Sequence, residues 1–426
     1  MPVTRLPFQG GPADSAPPII LALMPEDISA SPTSTGPLSG WRVLDLTAVV
    51  MGPLATQILG DLGADVIVVE NHHGDTNRVM GPGPHPQLSG VSLNLLRNKR
   101  NVSLDIRSAA GRDALLRIAA TCDVFVTNIR PGALRRAGLE YADLVKVRPD
   151  IVYCEAHGFP LGSPREDDPA YDDIIQAETG VADAARRQHG APLLASTLVA
   201  DKVCGLTIAY AVMAALLRRE RTGEGDHVEV PMAETVKAWM LVEHGAGAIP
   251  VPPLAPAGYA RILTPYRRPQ QTLDGWINVL PYTPANYAAL FAEGGRDDLL
   301  GDPRYGSARA RIHNSDFLYA QVAAIIGTRT SAAWLEFCRQ HDIPAAAVGS
   351  LDDIVGELPV ASHPQAGDYH YIPPPVRFSA APSSLRRHAP LIGADTDEVL
   401  AEVGFSRDEI AALRASGASP APPPLG

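Results

Sequence analysis

The chain has 426 residues, 46% hydrophobic and only 19% charged, with a mean hydropathy of zero, so it carries ample apolar material for a large core and cannot be disordered throughout or fibrous. Its 36 Lys and Arg against 47 Asp and Glu leave a net charge of −11, which excludes a protein that works by coating nucleic acid or an anionic membrane, while leaving room for a local basic pocket. The length suggests two or three domains, or one large sheet domain with a smaller satellite.

Residues 1–39 are rich in Pro, Ser, Gly and Thr without a sustained period and read as a flexible extension, with Met24 a candidate natural start. Order begins at Gly40. Trp41–Leu46 reads as a strand, Leu54–Leu62 as a helix with Gly52-Pro53 at its entry, and Asp65–Val69 as a buried strand ending at Glu70. The alternation continues through a strand at Val102–Leu104, a helix at Ala109–Ala120, a strand at Val124–Val126, a helix at Tyr141–Val147 and a strand at Ile151–Cys154. Such a pattern means an α/β doubly wound sheet with right-handed parallel crossovers. The apolar run Leu206–Leu217, after Gly205, is too short to span a bilayer and reads as a helix inside the protein, followed by a strand at His227–Val230. The stretch Gly245–Pro256 is a linker. Beyond it a smaller αβ pattern runs through a strand at Trp276–Leu280, helices near Pro284–Ala292, Ser315–Ile326 and Ala332–His341, and a strand at Ala345–Val348. A last helix is expected near Arg407–Leu413.

Several chemistries find no pattern to carry them. The first strand–helix turn, Thr47 to Pro53, lacks G-x-G-x-x-G, and there is no P-loop, no G-x-S-x-G elbow and no zinc spacing. Adjacent His72-His73 with Asp75 reads as a solvated loop, as does Glu166-Asp167-Asp168, and Glu70 is equally a ribose-binding acid or a sheet-end cap. The four cysteines, Cys122, Cys154, Cys204 and Cys338, form no C-x-x-C pair and sit in apolar stretches, which fits buried thiols in a reducing cytoplasm. Tyr171-Asp172-Asp173 places a phenol and carboxylates just before a helix, where Asp172 or Asp173 can cap it. Asp201 stands apart. It interrupts the small and apolar sequence Leu198 to Gly205 just before the longest apolar helix, and is either a cap or a desolvated nucleophile.

At these residues the sequence resembles the family III CoA-transferases, the group that includes formyl-CoA transferase, carnitine CoA-transferase and α-methylacyl-CoA racemase. The blocks that carry the resemblance include GWRVLDLTAVVMGPLATQILGDLGADVIVVE (40–70), RNKRNVSLDI (97–106), DVFVTNIRPGALRRAGL (123–139), PAYDDIIQAETG (169–180), LRRERTGEGDHVEVPMAET (217–235) and APLIGADTDEVLAEVGF (389–405), in order from Gly40 to about Leu413. The resemblance implies an α/β fold with a Rossmann-like large domain built from both chain ends (40–230 and 344–426), a segment of helix and linker (231–260), a small domain (261–343) and two interlocked subunits.

It also implies that Asp201 is the catalytic carboxylate, moving CoA from an acyl-CoA to a free acid through a mixed anhydride and an aspartyl-CoA thioester. Tyr171 falls where the family's racemases have a histidine, and a phenol is a poor second base at neutral pH. That favours a transferase over a 2-methylacyl-CoA racemase, with a non-catalytic CoA-binding protein as the third reading; His157 is the remaining nearby base. For CoA, matching positions imply Asn71 and Leu104 near the adenine, Asn128, Ile129, Arg130, Arg136 and Ala137 along the nucleotide and pantetheine, and Arg97, Lys99 and Arg100 near phosphate. No metal, permanent cofactor, nucleic acid or membrane is expected as a partner. Asn71 and Val50 replace family residues with other chemistry, and no glycine-rich loop precedes Trp276, so an acyl group bulkier or less polar than formyl or oxalyl is expected, chosen by loops such as Gly258–Arg268.

Overall fold

The computed structural model describes residues 36–420; the expected extension, apart from its last four residues, and the candidate start at Met24 lie outside them. Six parallel strands form the central sheet: β1 (Arg42–Leu46), β2 (Asp65–Glu70), β3 (Lys99–Ser103), β4 (Val124–Thr127), β5 (Val152–His157) and β6 (Asp226–Pro231). Their order is β3-β2-β1-β4-β5-β6, so the direction of winding reverses between β1 and β4. Ligands of open parallel sheets bind outside the carboxyl ends of the strands at such a reversal.

The helices between the strands are α1 (Met51–Asp61), α2 (Gly90–Leu95), α3 (Ala109–Ala119), α4 (Pro131–Ala137), α5 (Tyr141–Val147), α6 (Asp172–Glu178), α7 (Val181–His189) and α8 (Val199–Thr222), with α9 (Met232–His244) after β6. Period-two alternation divides each strand between two cores. Val43, Val66, Val126 and Cys154 pack with α1, α8 and α9 on one face. Leu44, Ile67, Phe125 and Tyr153 pack on the other face with α3 and α5 and with Val399, Leu400, Ile410 and Leu413 from the carboxyl-terminal segment. Residues 396–418 therefore return to the sheet formed by residues 42–231.

A third core is separate in sequence. Ile277 and Val279 of an antiparallel sheet, β7 (Gln270–Gln271), β8 (Trp276–Val279) and β9 (Ala345–Ala347), pack against the helices Pro284–Glu293, Ser315–Ile326 and Ser331–Gln340. All four cysteines are free and buried, and burial pushes the thiols of Cys122, Cys154 and Cys204 up to about 12 and that of Cys338 to about 11.

Two expectations change here. The long helix begins at Val199, not beyond Gly205, so Asp201 lies inside its first turn. At 24 residues α8 is long and apolar enough to cross a membrane, yet one side of it is packed against α1, β5 and β6 in the first core. Strand β3 begins at Lys99, three residues earlier than its apolar run indicates.

Candidate functional site

Asp201 stands at the carboxyl edge of the sheet. Two observations fix this: Gly205, one turn further along α8, presses on the Met51 carbonyl at the start of α1, directly after the β1 turn, while Arg219 near the other end of α8 bonds Asp123 and Asp150, which precede β4 and β5. A Cβ on Gly205 would lie 2.8 Å from that carbonyl oxygen, so the glycine permits the α1–α8 approach.

The carboxylate of Asp201 is 8% exposed as a residue and accepts no hydrogen bond among the described residues. Burial, then the charges of Asp172 and Asp173, raise its pKa from 3.8 to about 6. An acid in the first turn of a helix would ordinarily find amide N–H donors there. Those donors are taken. Asp172, 4% exposed, accepts from Ala200 N–H at 2.7 Å and from Asp201 N–H at 3.1 Å through Oδ1. Its Oδ2 accepts from Gln176 Nε2 at 2.5 Å. Asp172 thus does cap a helix, but it caps α8, not its own: the cap residue of α6 is Tyr171, which makes no capping bond and is 68% exposed.

The β1–α1 turn at the winding reversal is tightly held. Val49 sits at φ 68°, costly for a β-branched residue, and its N–H donates to both carboxylate oxygens of Asp75 at 3.0 and 3.1 Å. Burial raises the Asp75 pKa against the pull of these amides. The amide of Asn128 closes a reciprocal pair with the backbone of Ala48, both bonds 2.9 Å. So the His72–Asp75 loop is a brace for the turn. Among the described residues no cluster of three or more His, Cys, Asp or Glu could hold a metal ion.

The expected CoA positions fall into two groups. Asn71, Leu104, Asn128, Ile129 and Arg130 follow the carboxyl ends of β2, β3 and β4, with Arg136 and Ala137 on α4. Arg130 is exposed and reaches the Asp167 carbonyl at 3.2 Å, Arg136 is exposed with no ion pair among the described residues, and Leu104 is buried in the second core. Arg97, Lys99 and Arg100 lie instead at the entry to β3, and their charges are spent within the chain. Lys99 is wholly buried against Asp45 at 2.9 Å and Thr56 at 2.7 Å. Arg97 pairs with Asp61 at 2.6 Å, and Arg100 with Asp65 and Glu402, both at 2.6 Å. All three, expected near phosphate, are thus paired within the chain at the amino end of β3.

Other expectations resolve similarly. Glu70 is a sheet-end cap, holding Arg78 in a buried pair at 2.6 Å and the Asp75 N–H at 2.9 Å. The acidic run 166–168 is engaged, with Asp167 on the Gly132 N–H and Glu166 on Arg135, both at 2.7 Å, and Asp168 on Arg165 at 2.9 Å. His157 alternates with Ala156 of the first core and so faces away from α8, with Nδ1 on the Phe159 carbonyl at 2.6 Å. A cavity of about 530 Å³ lined by Arg42, Asp65, Arg100 and Glu402 opens at the amino edge, opposite Asp201, among charges already paired.

The family described as "CoA-transferase family III" matches residues 38–396. The chain belongs to the family III CoA-transferases, and it is a transferase. It is 32% identical over 380 residues to succinyl-CoA:glutarate CoA-transferase of Mus musculus, covering 87% of each chain. It is 28% identical over 423 residues to formyl-CoA:oxalate CoA-transferase of Rhodopseudomonas palustris, covering 91% of this chain and 98% of that one. Among solved structures, a CAIB/BAIF family protein from Brucella suis superposes with a TM-score of 0.73 at 26% identity, over 86% of this chain and 99% of that one.

Proposed function

We propose that this CoA-transferase moves coenzyme A from an acyl-CoA to a free carboxylic acid with Asp201 as the attacking carboxylate. The observation that carries the reading is a buried carboxylate with no hydrogen-bond partner among the described residues, at the edge of the sheet where the winding reverses. An ionised Oδ of Asp201 attacks the thioester carbonyl, the C–S bond breaks, and CoA leaves as thiolate from a mixed anhydride. The thiolate then attacks the aspartyl carbonyl, expelling the donor acid as its carboxylate and leaving an aspartyl-CoA thioester. The acceptor carboxylate repeats these two steps in reverse and regenerates Asp201. Each stage exchanges one acyl bond for another, so no oxidant or reductant is needed.

Tyr171, exposed and one residue from Asp172, lines the acyl site. A phenol stands there in place of a second basic side chain, which favours the transferase over α-proton exchange. CoA runs along the carboxyl ends of β2, β3 and β4 past Asn71, Leu104, Asn128, Ile129, Arg130 and Ala137, with Arg136, which has no ion pair among the described residues, as a cation for phosphate; Arg136→Ala raises the KM for acyl-CoA. The large domain, Rossmann-like in strand order, comprises 40–230 and 344–426, with a small domain at 261–343. Exposed apolar side chains on α8 and α9, Leu206, Tyr210, Trp239 and Val242, support a second copy of the chain as their cover, in an interlocked homodimer. Buried free thiols support a cytoplasmic site.

The acid is proposed to be a dicarboxylate larger than oxalate, as in the succinyl-CoA:glutarate relative. Arg261, in the loop expected to select it, has no carboxylate partner among the described residues and is held by the Tyr319 hydroxyl at 2.8 Å over the Tyr282 ring. The test is a panel of acyl-CoAs and free acids, read by mass spectrometry, with succinyl-CoA and glutarate as the first pair. Exchange that disappears in Asp201→Asn supports the proposal. CoA binding without exchange over the whole panel, or α-hydrogen exchange with deuterated water in the absence of any acid, contradicts it.

A further inference from the structure

A carboxylate three residues into a helix has an ordinary fate, which is to fold back on the unpaired amides of its own first turn. That bond would stabilise its charge and lower its reactivity. Asp201 occupies such a position in α8, whose preceding residue, Leu198, has no side chain able to cap. Yet the amides of Ala200 and Asp201 are both bonded to Asp172, 28 and 29 residues earlier in the chain. Gln176, fully buried one turn along α6, completes the clamp: its Nε2 bonds Asp172 Oδ2 at 2.5 Å and reaches the Thr197 carbonyl at 3.4 Å, and its Oε1 accepts from Ala195 N–H at 2.8 Å. The entry to α8 is thus pinned to α6 from residue 195 to residue 201.

We propose that Asp172 is a positioning residue, which occupies the amides at the start of α8 so that the carboxylate of Asp201 is left without a partner and available to attack, with Gln176 fixing the geometry of the cap. The inference rests on the reading of Asp201 as nucleophile. The groups facing Asp201 are consistent with it. From α6 come the charges of Asp172 and Asp173; on α8 itself, Lys202 turns its ammonium to Thr197 Oγ1 at 2.5 Å and Cys204, which meets Thr235 of α9, holds its proton; one turn further along α8, at Gly205, α1 brings Met51 and Leu54, which carry no charge. Among the described residues no cation pairs with the carboxylate.

Two variants test this with the succinyl-CoA and glutarate pair, or whichever pair the panel shows to exchange. Asp172→Asn keeps an oxygen for the two amides but removes the charge; Asp172→Ala removes both. In Asp172→Ala, kcat is expected to fall by about 100-fold with KM within about twofold, because a misplaced nucleophile loses rate more than binding. In Asp172→Asn most of that loss is restored, and the acid limb of kcat/KM moves to lower pH because Asp201 ionises more easily beside a neutral neighbour. An unchanged kcat in Asp172→Ala, or equal losses in both variants with the acid limb unmoved, overturns the positioning role. Should Asp172→Ala fail to fold, the limb in Asp172→Asn alone decides. Failure of the underlying reading is seen separately, as retained exchange in Asp201→Asn.

Discussion

The Asp201→Asn variant should be dead as a transferase and more stable than the parent at neutral pH. The folded chain holds the Asp201 proton more tightly than the unfolded chain, with a pKa of about 6 against an ordinary 3.8, so above pH 6 an ionised, buried Asp201 beside Asp172 works against the fold. At about 1.36 kcal/mol for each pH unit, that difference corresponds to about 3 kcal/mol. Asparagine has no charge to bury, so the variant should gain up to about this amount at pH 7.5. The sign fixes the pH window. The gain is fully present above the folded-state pKa near 6, shrinks as pH falls, and is gone below 3.8, where the carboxyl is protonated in both states. Urea titrations of parent and variant at a series of pH values measure it. A variant less stable than the parent at pH 7.5, or a difference independent of pH between 4 and 8, would refute the reasoning that burial and Asp172 hold this carboxylate at a cost to the fold.

Three other outcomes follow from the same geometry. Because the attacking form is the carboxylate, kcat/KM should fall with acid below a pKa near 6, measured across pH 4.5 to 8 with the exchange assay. Lys99→Met leaves the Asp45 carboxylate buried with only Thr47 and Thr56 as partners, and should cost about 3–5 kcal/mol in urea titration while leaving the KM for acyl-CoA unchanged in protein that folds. Gly205→Val forces a side chain onto the Met51 carbonyl, 2.8 Å from the new Cβ, and should destabilise by about 1–3 kcal/mol, visible as a lower thermal midpoint.

The fold was legible wherever local period and burial agree. Tyr141–Val147 and Ser315–Ile326 form helices with the boundaries their apolar spacing indicates, and the alternation of strands and helices from 41 to 154 gives the parallel sheet. It fails where charge is buried. Lys99 and Arg100 lie outside the apolar run Val102–Leu104 in the sequence, but their partners Asp45, Asp65 and Glu402 are 35 or more positions away along the chain, and only the fold brings them together to make Lys99-Arg100 the start of β3. That is also why three cations expected at phosphate are not free. The short helix Thr396–Glu402, rich in acids, gave no apolar signal, although Val399 and Leu400 anchor it in the second core.

At the site, Asp201 was visible as a carboxylate out of place in apolar surroundings. Its partner was not. Asp172 and Gln176 stand at the i and i+4 spacing of one helix face, which the sequence shows, but that this face meets the start of α8 is a tertiary fact.

The most direct test of the account is to intercept the covalent intermediate. The enzyme, incubated with succinyl-CoA and hydroxylamine and then digested, is expected to carry a hydroxamate on the peptide containing Asp201, lost in the Asp201→Asn variant and dependent on the acyl-CoA. Unmodified Asp201 together with full exchange activity in Asp201→Ala would contradict it.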